Sequence, residues 1–189
     1  MLELKNVSFS YDKEPVLKDF SLLVKAGEAV CLQGPSGCGK STVLKILAGL
    51  IKADEGTVIA PSKVSVVFQE DRLLPWFNLE KNLRLTVGDE KSELIEKLLK
   101  EVGLGDKLHS KIEDLSGGMK RRAAICRAVA FEGDALLLDE PFNGIDKENK
   151  EIVANIIKRE FLDKGKPVIM SSHITDDAEL LGARIYKFE

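Results

Sequence analysis

The chain has 189 residues, a length that suits one domain with a substantial core, and its 44% hydrophobic and 31% charged residues are those of an ordinary globular protein, neither disordered nor fibrous. A net charge of -3 with both signs interspersed leaves no broad basic surface for nucleic acid, and no apolar run approaches the roughly 20 residues of a bilayer span. Three cysteines, Cys31, Cys38 and Cys126, with no CxxC pair, argue against a disulfide framework or a zinc site.

The opening Met1-Leu2-Glu3-Leu4-Lys5 has no basic segment followed by an apolar stretch, so a cytoplasmic location is expected. Leu2, Leu4, Val7 and Phe9, then Phe20, Leu22 and Val24, carry the alternation of half-buried strands and predict a small antiparallel sheet. Ala29 to Leu32 is apolar on both faces and predicts a central strand, followed by a glycine-rich turn and a helix over Lys40 to Leu50. Val64 to Phe68 predicts another strand. Helical texture then runs from Leu79 to Ala130, with Leu94, Ile95, Leu98, Leu99 and Val102 at helical spacing. Ala135 to Leu138 and Val168 to Ser171 predict buried strands around a helix carrying Ile152, Val153, Ile156 and Ile157, so the expected class is α/β with a mostly parallel sheet.

Within that frame, Gly34-Pro35-Ser36-Gly37-Cys38-Gly39-Lys40-Ser41 fits GxxxxGK[ST] and lies where the pattern requires, between a buried strand and a helix, with Thr42 next in line. The glycines let backbone N–H groups turn inward around phosphates, and the start of the helix adds favourable potential for an anion. Lys40 suits the β- and γ-phosphates of a nucleoside triphosphate, and the Ser41 hydroxyl suits Mg²⁺. Cys38 is taken as a small loop residue, with sensitivity to thiol reagents as a side effect. Asp139 and Glu140 close an apolar strand, the end at which α/β sheets place ligand-binding groups. Asp139 suits a place beside Mg²⁺ and Glu140 the polarisation of an attacking water.

Leu115-Ser116-Gly117-Gly118-Met119, continuing through Lys120 to Ala128, resembles the signature segment of the nucleotide-binding domains of ABC transporters, usually LSGGQ. Ser116 is a good helix N-cap, and Gly117 and Gly118 leave N–H groups open to an anion. The resemblance implies a P-loop NTPase core with an antiparallel β part at about 1–69 and 132–189, and a helical signature subdomain at about 70–131. It implies Mg-ATP as substrate and cofactor, and a signature that acts on the nucleotide of a second, opposed ATP-binding subunit. It further implies integral-membrane permease subunits as partners, an extracytoplasmic solute-binding protein, no nucleic acid, and attachment to the inner face of the cell membrane through the permease.

The same resemblance gives Tyr11 as the ring that stacks on adenine, or else a surface packing residue. Gln69 matches a glutamine that senses Mg²⁺ and the γ-phosphate, with a solvated strand end as the alternative. Asp146 matches a residue communicating across the dimer and also suits the N-cap of the next helix. His173 matches a switch histidine at the γ-phosphate. Gln69 to Trp76 is most similar to importers of nitrate, taurine and sulfonates, which points to a small anionic or organic solute; Leu73, Leu74, Trp76 and Phe77 either face the permease or fill the helical core. Met119 stands where Gln is usual, and Asn143-Gly144-Ile145 where Ser-Ala-Leu is commoner; the end of the chain soon after His173 leads to the expectation of a minimal unit without a regulatory extension. A soluble ABC ATPase that moves no solute is the main rival, and a small-molecule phosphotransferase a third reading that the signature gives no reason for.

Overall fold

In a computed structural model that describes residues 1–188, the chain opens on β1 (Leu2–Tyr11) and β2 (Glu14–Val24), an antiparallel hairpin pairing Leu2 with Val24 and Leu4 with Leu22. Its two-residue turn, Asp12-Lys13, holds both residues at positive φ (46° and 73°), the handedness that matches the twist of the flanking strands. β3 (Ala29–Gln33) leads through the glycine-rich loop into α1 (Lys40–Leu47), and β4 (Glu55–Ile59) then returns to pair antiparallel with the free side of β1. The three-stranded order is β2-β1-β4. No residue of β4 is buried, so it shows none of the alternation by which β1 and β2 are recognisable.

The second sheet is parallel throughout. It consists of β3 with β5 (Val64–Val67), β6 (Ala135–Asp139), β7 (Val168–Ser171) and β8 (Arg184–Lys187), in the order β5-β6-β7-β3-β8. Central β6, β7 and β3 are apolar on both faces, as strands covered on two sides must be. Edge strand β8 is largely exposed and lacks that signal.

Between β5 and β6 lie α2 (Leu79–Val87), α3 (Ser92–Glu101) and α4 (Gly117–Ala130); α5 (Lys147–Glu160) joins β6 to β7, and α6 (Thr175–Leu181) joins β7 to β8. Side chains close the entrances of three helices: Asn78 accepts from the Lys81 amide, Ser116 from that of Met119 and Asp146 from that of Asn149. The expected helix from Lys40 stops at Leu47 rather than Leu50, because the chain turns at Gly49 with φ 69°. The stretch expected to be helical from Leu79 to Ala130 is three helices, interrupted by short 3-10 turns.

Two apolar cores share the parallel sheet, one on each face. Val30, Leu32, Ala135, Leu137 and Ile169 pack with the antiparallel sheet and α1, while Ala29, Cys31, Leu136, Leu138, Val168 and Met170 pack with the helices. The alternation follows the pleat residue by residue. Among the described residues no helix is long and apolar enough to cross a membrane.

Candidate functional site

Four adjacent parallel strands, β5, β6, β7 and β3, deliver their carboxyl ends to one place, so Gln69, Asp139-Glu140, His173 and the glycine-rich loop meet there. A cleft of about 380 Å³ is lined by Tyr11, Val16, Ser36, Gly37, Gly39, Lys40, Ser41, Thr42, Gln69, Asp139 and Glu140. Ten of these eleven were singled out from sequence; Val16 was not. Gly34, Pro35 and Cys38 belong to the same loop but do not line the cleft, and neither does His173.

Lys40 is buried and folds back over its own loop, donating from Nζ to the carbonyls of Gly34 (2.8 Å) and Pro35 (2.9 Å), with the Cys38 sulfur at 3.7 Å. Among the described residues no side chain caps α1, which leaves its first N–H groups to meet an anion. Gly39, the residue before the helix, has φ 104°, and a Cβ there would lie 2.8 Å from Leu17 Cδ2 and 3.2 Å from Val16 Cγ1. The loop therefore follows a path against β2 that a side chain would block.

Asp139 and Glu140 are fixed by contacts that sequence gave no hint of. The Ser171 hydroxyl donates to Asp139 Oδ1 at 2.6 Å and accepts from the Glu140 amide at 3.0 Å. Glu140 has φ 48°, unusual for a residue with a side chain. Its carboxylate accepts from Asn143 Nδ2 and lies 3.6 Å from His173 Nδ1. His173 itself is 58% exposed; Ser172, just before it, is buried, and its hydroxyl donates to Asp177, which also takes a 2.8 Å bond from Lys150.

Arg121, only 4% exposed, reaches from α4 to both strand ends. It donates to the carbonyls of Phe68 and Gln69 (3.3 Å) and to Asp71 (3.3 Å) on one side, and to those of Asp139, Glu140 (2.7 Å) and Pro141 (3.1 Å) on the other. Burial lowers its pKa from the ordinary value, and Asp71 opposes that shift. Arg127, six residues on in the same helix, donates to the carbonyls of Asp71 and Arg72. In sequence Arg121 sits inside Lys120-Arg121-Arg122, a run that reads as solvated charge.

Ser116, Gly117 and Gly118 do not line this cleft. They form the entrance of α4, where the Met119 amide donates to Ser116 Oγ at 3.3 Å and Gly118 lies so close to the Gly144 carbonyl that a Cβ would come within 2.7 Å. Asp146 caps α5 through the Asn149 amide (3.1 Å) and side chain (2.7 Å).

The chemistry of the cleft suits a triphosphate and a hard divalent cation. Its lining offers an ammonium, uncapped helix amides and glycine backbone, together with the hydroxyl of Ser41, the side-chain amide of Gln69 and the carboxylate of Asp139, an oxygen set of the kind Mg²⁺ takes. Fold and cleft together define a P-loop nucleoside triphosphatase. The family model described as ABC transporter matches residues 17–143. The aliphatic sulfonates import ATP-binding protein 1 of Streptomyces avermitilis is 40% identical over 177 residues, covering 93% of this chain and 68% of that protein. The taurine import ATP-binding protein of Escherichia coli O157:H7 is 33% identical, covering 98% and 78%. Among solved structures, the dimeric bacterial ABC transporter cassette MJ0796 aligns with a TM-score of 0.90 at 30% identity, covering 100% of this chain and 94% of that one, and the same cassette is known in a post-hydrolysis state bound to ADP and Pi. The chain belongs to the ABC transporter family, and it is an ATPase.

Proposed function

We propose that this chain is the ATP-binding subunit of an importer, hydrolysing Mg-ATP between two subunits and passing the resulting motion to a membrane permease. Lys40 and the loop from Gly34 to Thr42 bind the phosphates and Tyr11 packs against the base. Ser41, Gln69 and Asp139 would hold Mg²⁺, which supplies charge neutralisation at the β- and γ-phosphates. Glu140 takes the proton side of water attack, with His173 at the γ-phosphate. The division into an ATP core at about 1–69 and 132–189 and a helical part at about 70–131 belongs to the same proposal.

One observation carries the reading: the Ser116-capped entrance of α4, with its open glycine amides, lies outside the chain's own cleft and is left available to a second subunit. Two chains closing head to tail, with Asp146 near the joint, would complete each cleft with the other's signature. ATP then favours the closed pair because only the closed pair gives the γ-phosphate its second clamp.

The permease would meet the face of α2, where Trp76 is 71% and Leu85 57% exposed beside a groove lined by Phe77, Lys81 and Arg84. Such a partner places the chain at the inner face of the cell membrane. The relatives that import sulfonates and taurine support a small anionic or organic solute; its delivery by an extracytoplasmic binding protein belongs to the same proposal.

The test is recovery of tagged Glu140→Gln from native membranes solubilised with Mg-ATP. Dimer with a polytopic membrane protein is the expected product, whereas a soluble partner, or none, would favour an ABC ATPase that moves no solute.

A further inference from the structure

The left-handed backbone of Glu140 needs a cause. A residue with a side chain stays in that region only where its surroundings over-determine it. Here the restraint comes from two buried side chains that the mechanism does not otherwise use. Ser171 accepts from the Glu140 amide at 3.0 Å, and Arg121 donates to the Glu140 carbonyl at 2.7 Å, so both polar groups of that residue's main chain are held by side chains of other elements. Arg121 also donates to the carbonyls on either side, those of Asp139 and Pro141.

Neither side chain suits its position on stability grounds alone. Ser171 is fully buried at the end of a strand whose other members, Val168, Ile169 and Met170, are apolar, and a guanidinium as buried as that of Arg121 is costly to desolvate. Each makes sense through what it aligns. The Ser171 hydroxyl spends its proton on Asp139 Oδ1 at 2.6 Å and its lone pair on the next residue's amide, tying the cation-side carboxylate to the backbone that aims Glu140. Arg121 adds the carbonyls of Phe68 and Gln69, so Gln69 and Glu140 are referenced to one planar group carried by α4.

We infer that Ser171 and Arg121 are positioning residues for hydrolysis, together holding Glu140 in the conformation from which its carboxylate meets water. The inference rests on the role proposed above for Glu140. Because neither residue touches the phosphates, their loss should appear in kcat, while the affinity for ATP measured without Mg²⁺, and so independent of Asp139 and Gln69 as cation-side groups, should stay nearly untouched.

The experiment compares Mg-ATPase kinetics and ATP affinity, the latter by calorimetry without Mg²⁺, for the intact parent chain and for Ser171→Thr, Ser171→Val, Arg121→Lys and Glu140→Gln. Thr and Val have the same shape, so their difference reads the hydroxyl alone, and neither empties the site. Expected are kcat for Ser171→Thr within about threefold of the parent and a fall of about tenfold to a hundredfold for Ser171→Val and Arg121→Lys, with ATP affinity in all three within about threefold. Equal rates for the Thr and Val variants would overturn the assignment of Ser171, and parent-like kcat in Arg121→Lys that of Arg121. So would losses confined to ATP affinity. If Glu140→Gln is inactive while the others turn over normally, the positioning inference alone falls; if Glu140→Gln turns over normally, the role of Glu140 falls first.

Discussion

Replacing Gly39 with alanine puts a methyl group where the structure has β2. Two costs add. The first is conformational: φ is 104°, and an L side chain there costs about 2 kcal/mol. The second is steric, since the new Cβ would stand 2.8 Å from Leu17 Cδ2 and 3.2 Å from Val16 Cγ1, and Leu17 is buried at 4% exposure; overpacking of that kind costs about 2 kcal/mol more. Gly37 separates the two terms, because it also has positive φ (84°) but nothing within 4 Å of its Cβ position. At about 3 °C per kcal/mol for a chain of this size, Gly37→Ala should melt about 6 °C below the parent and Gly39→Ala about 12 °C below it. Thermal unfolding without nucleotide is the assay, since added ATP would stabilise by binding and blur the comparison. Equal melting temperatures for the two variants would refute the steric half of the reasoning.

Two further outcomes are expected. Burial, with Asp177 adding repulsion, pushes the Cys31 thiol up to about 11, and burial with Glu101 pushes Cys126 up to about 12, from an ordinary 9.0. Above about pH 9 the unfolded chain loses these protons first, so each thiol lowers stability by about 1.4 kcal/mol per pH unit until its folded pKa is reached, and below about pH 9 it has no effect. Denaturant melts of Cys126→Ala between pH 9 and 11 should show a shallower decline than the parent; parallel declines would show that the thiol is not responsible. Trp76→Ala should leave melting and the ATPase rate of the isolated subunit unchanged and weaken recovery of the permease about thirtyfold, the loss of one aromatic anchor. Undiminished recovery would move the docking face elsewhere.

Legibility in the sequence followed how local each signal was. Gly34 to Ser41 carries its own context, a buried strand before and an apolar stripe after, and Ala135 to Glu140 likewise announces a strand that ends in carboxylates. β4 and β8 were not foreseen, because exposed edge strands bury too little to print an alternation. The length of α1 was overestimated because Leu50 continues the helical stripe beyond the turn at Gly49. Arg121 and Ser171 were invisible for a different reason. An arginine in a basic run and a serine ending an apolar strand are unremarkable until β5, β6, β7 and α4 are brought together, and only then do their partners exist. Asn143 could have been suspected, since it stands where the family usually has a different residue, close to Glu140 in sequence.

The pleat of the parallel sheet divides the molecule more sharply than any linker. Along β3, β6 and β7, residues of one parity serve the antiparallel sheet and α1, and those of the other parity serve the helices, so the sheet is a bulkhead between two separately packed compartments. A helical surface recut to fit a different permease would change packing on one side and leave the residues shaping the phosphate loop in place. Under the proposed coupling to a permease, motion would pass at the strand ends, two of which Arg121 ties together. Two compartments packed separately on one shared sheet would let the helical side diverge toward different permeases while the ATP side stays the same.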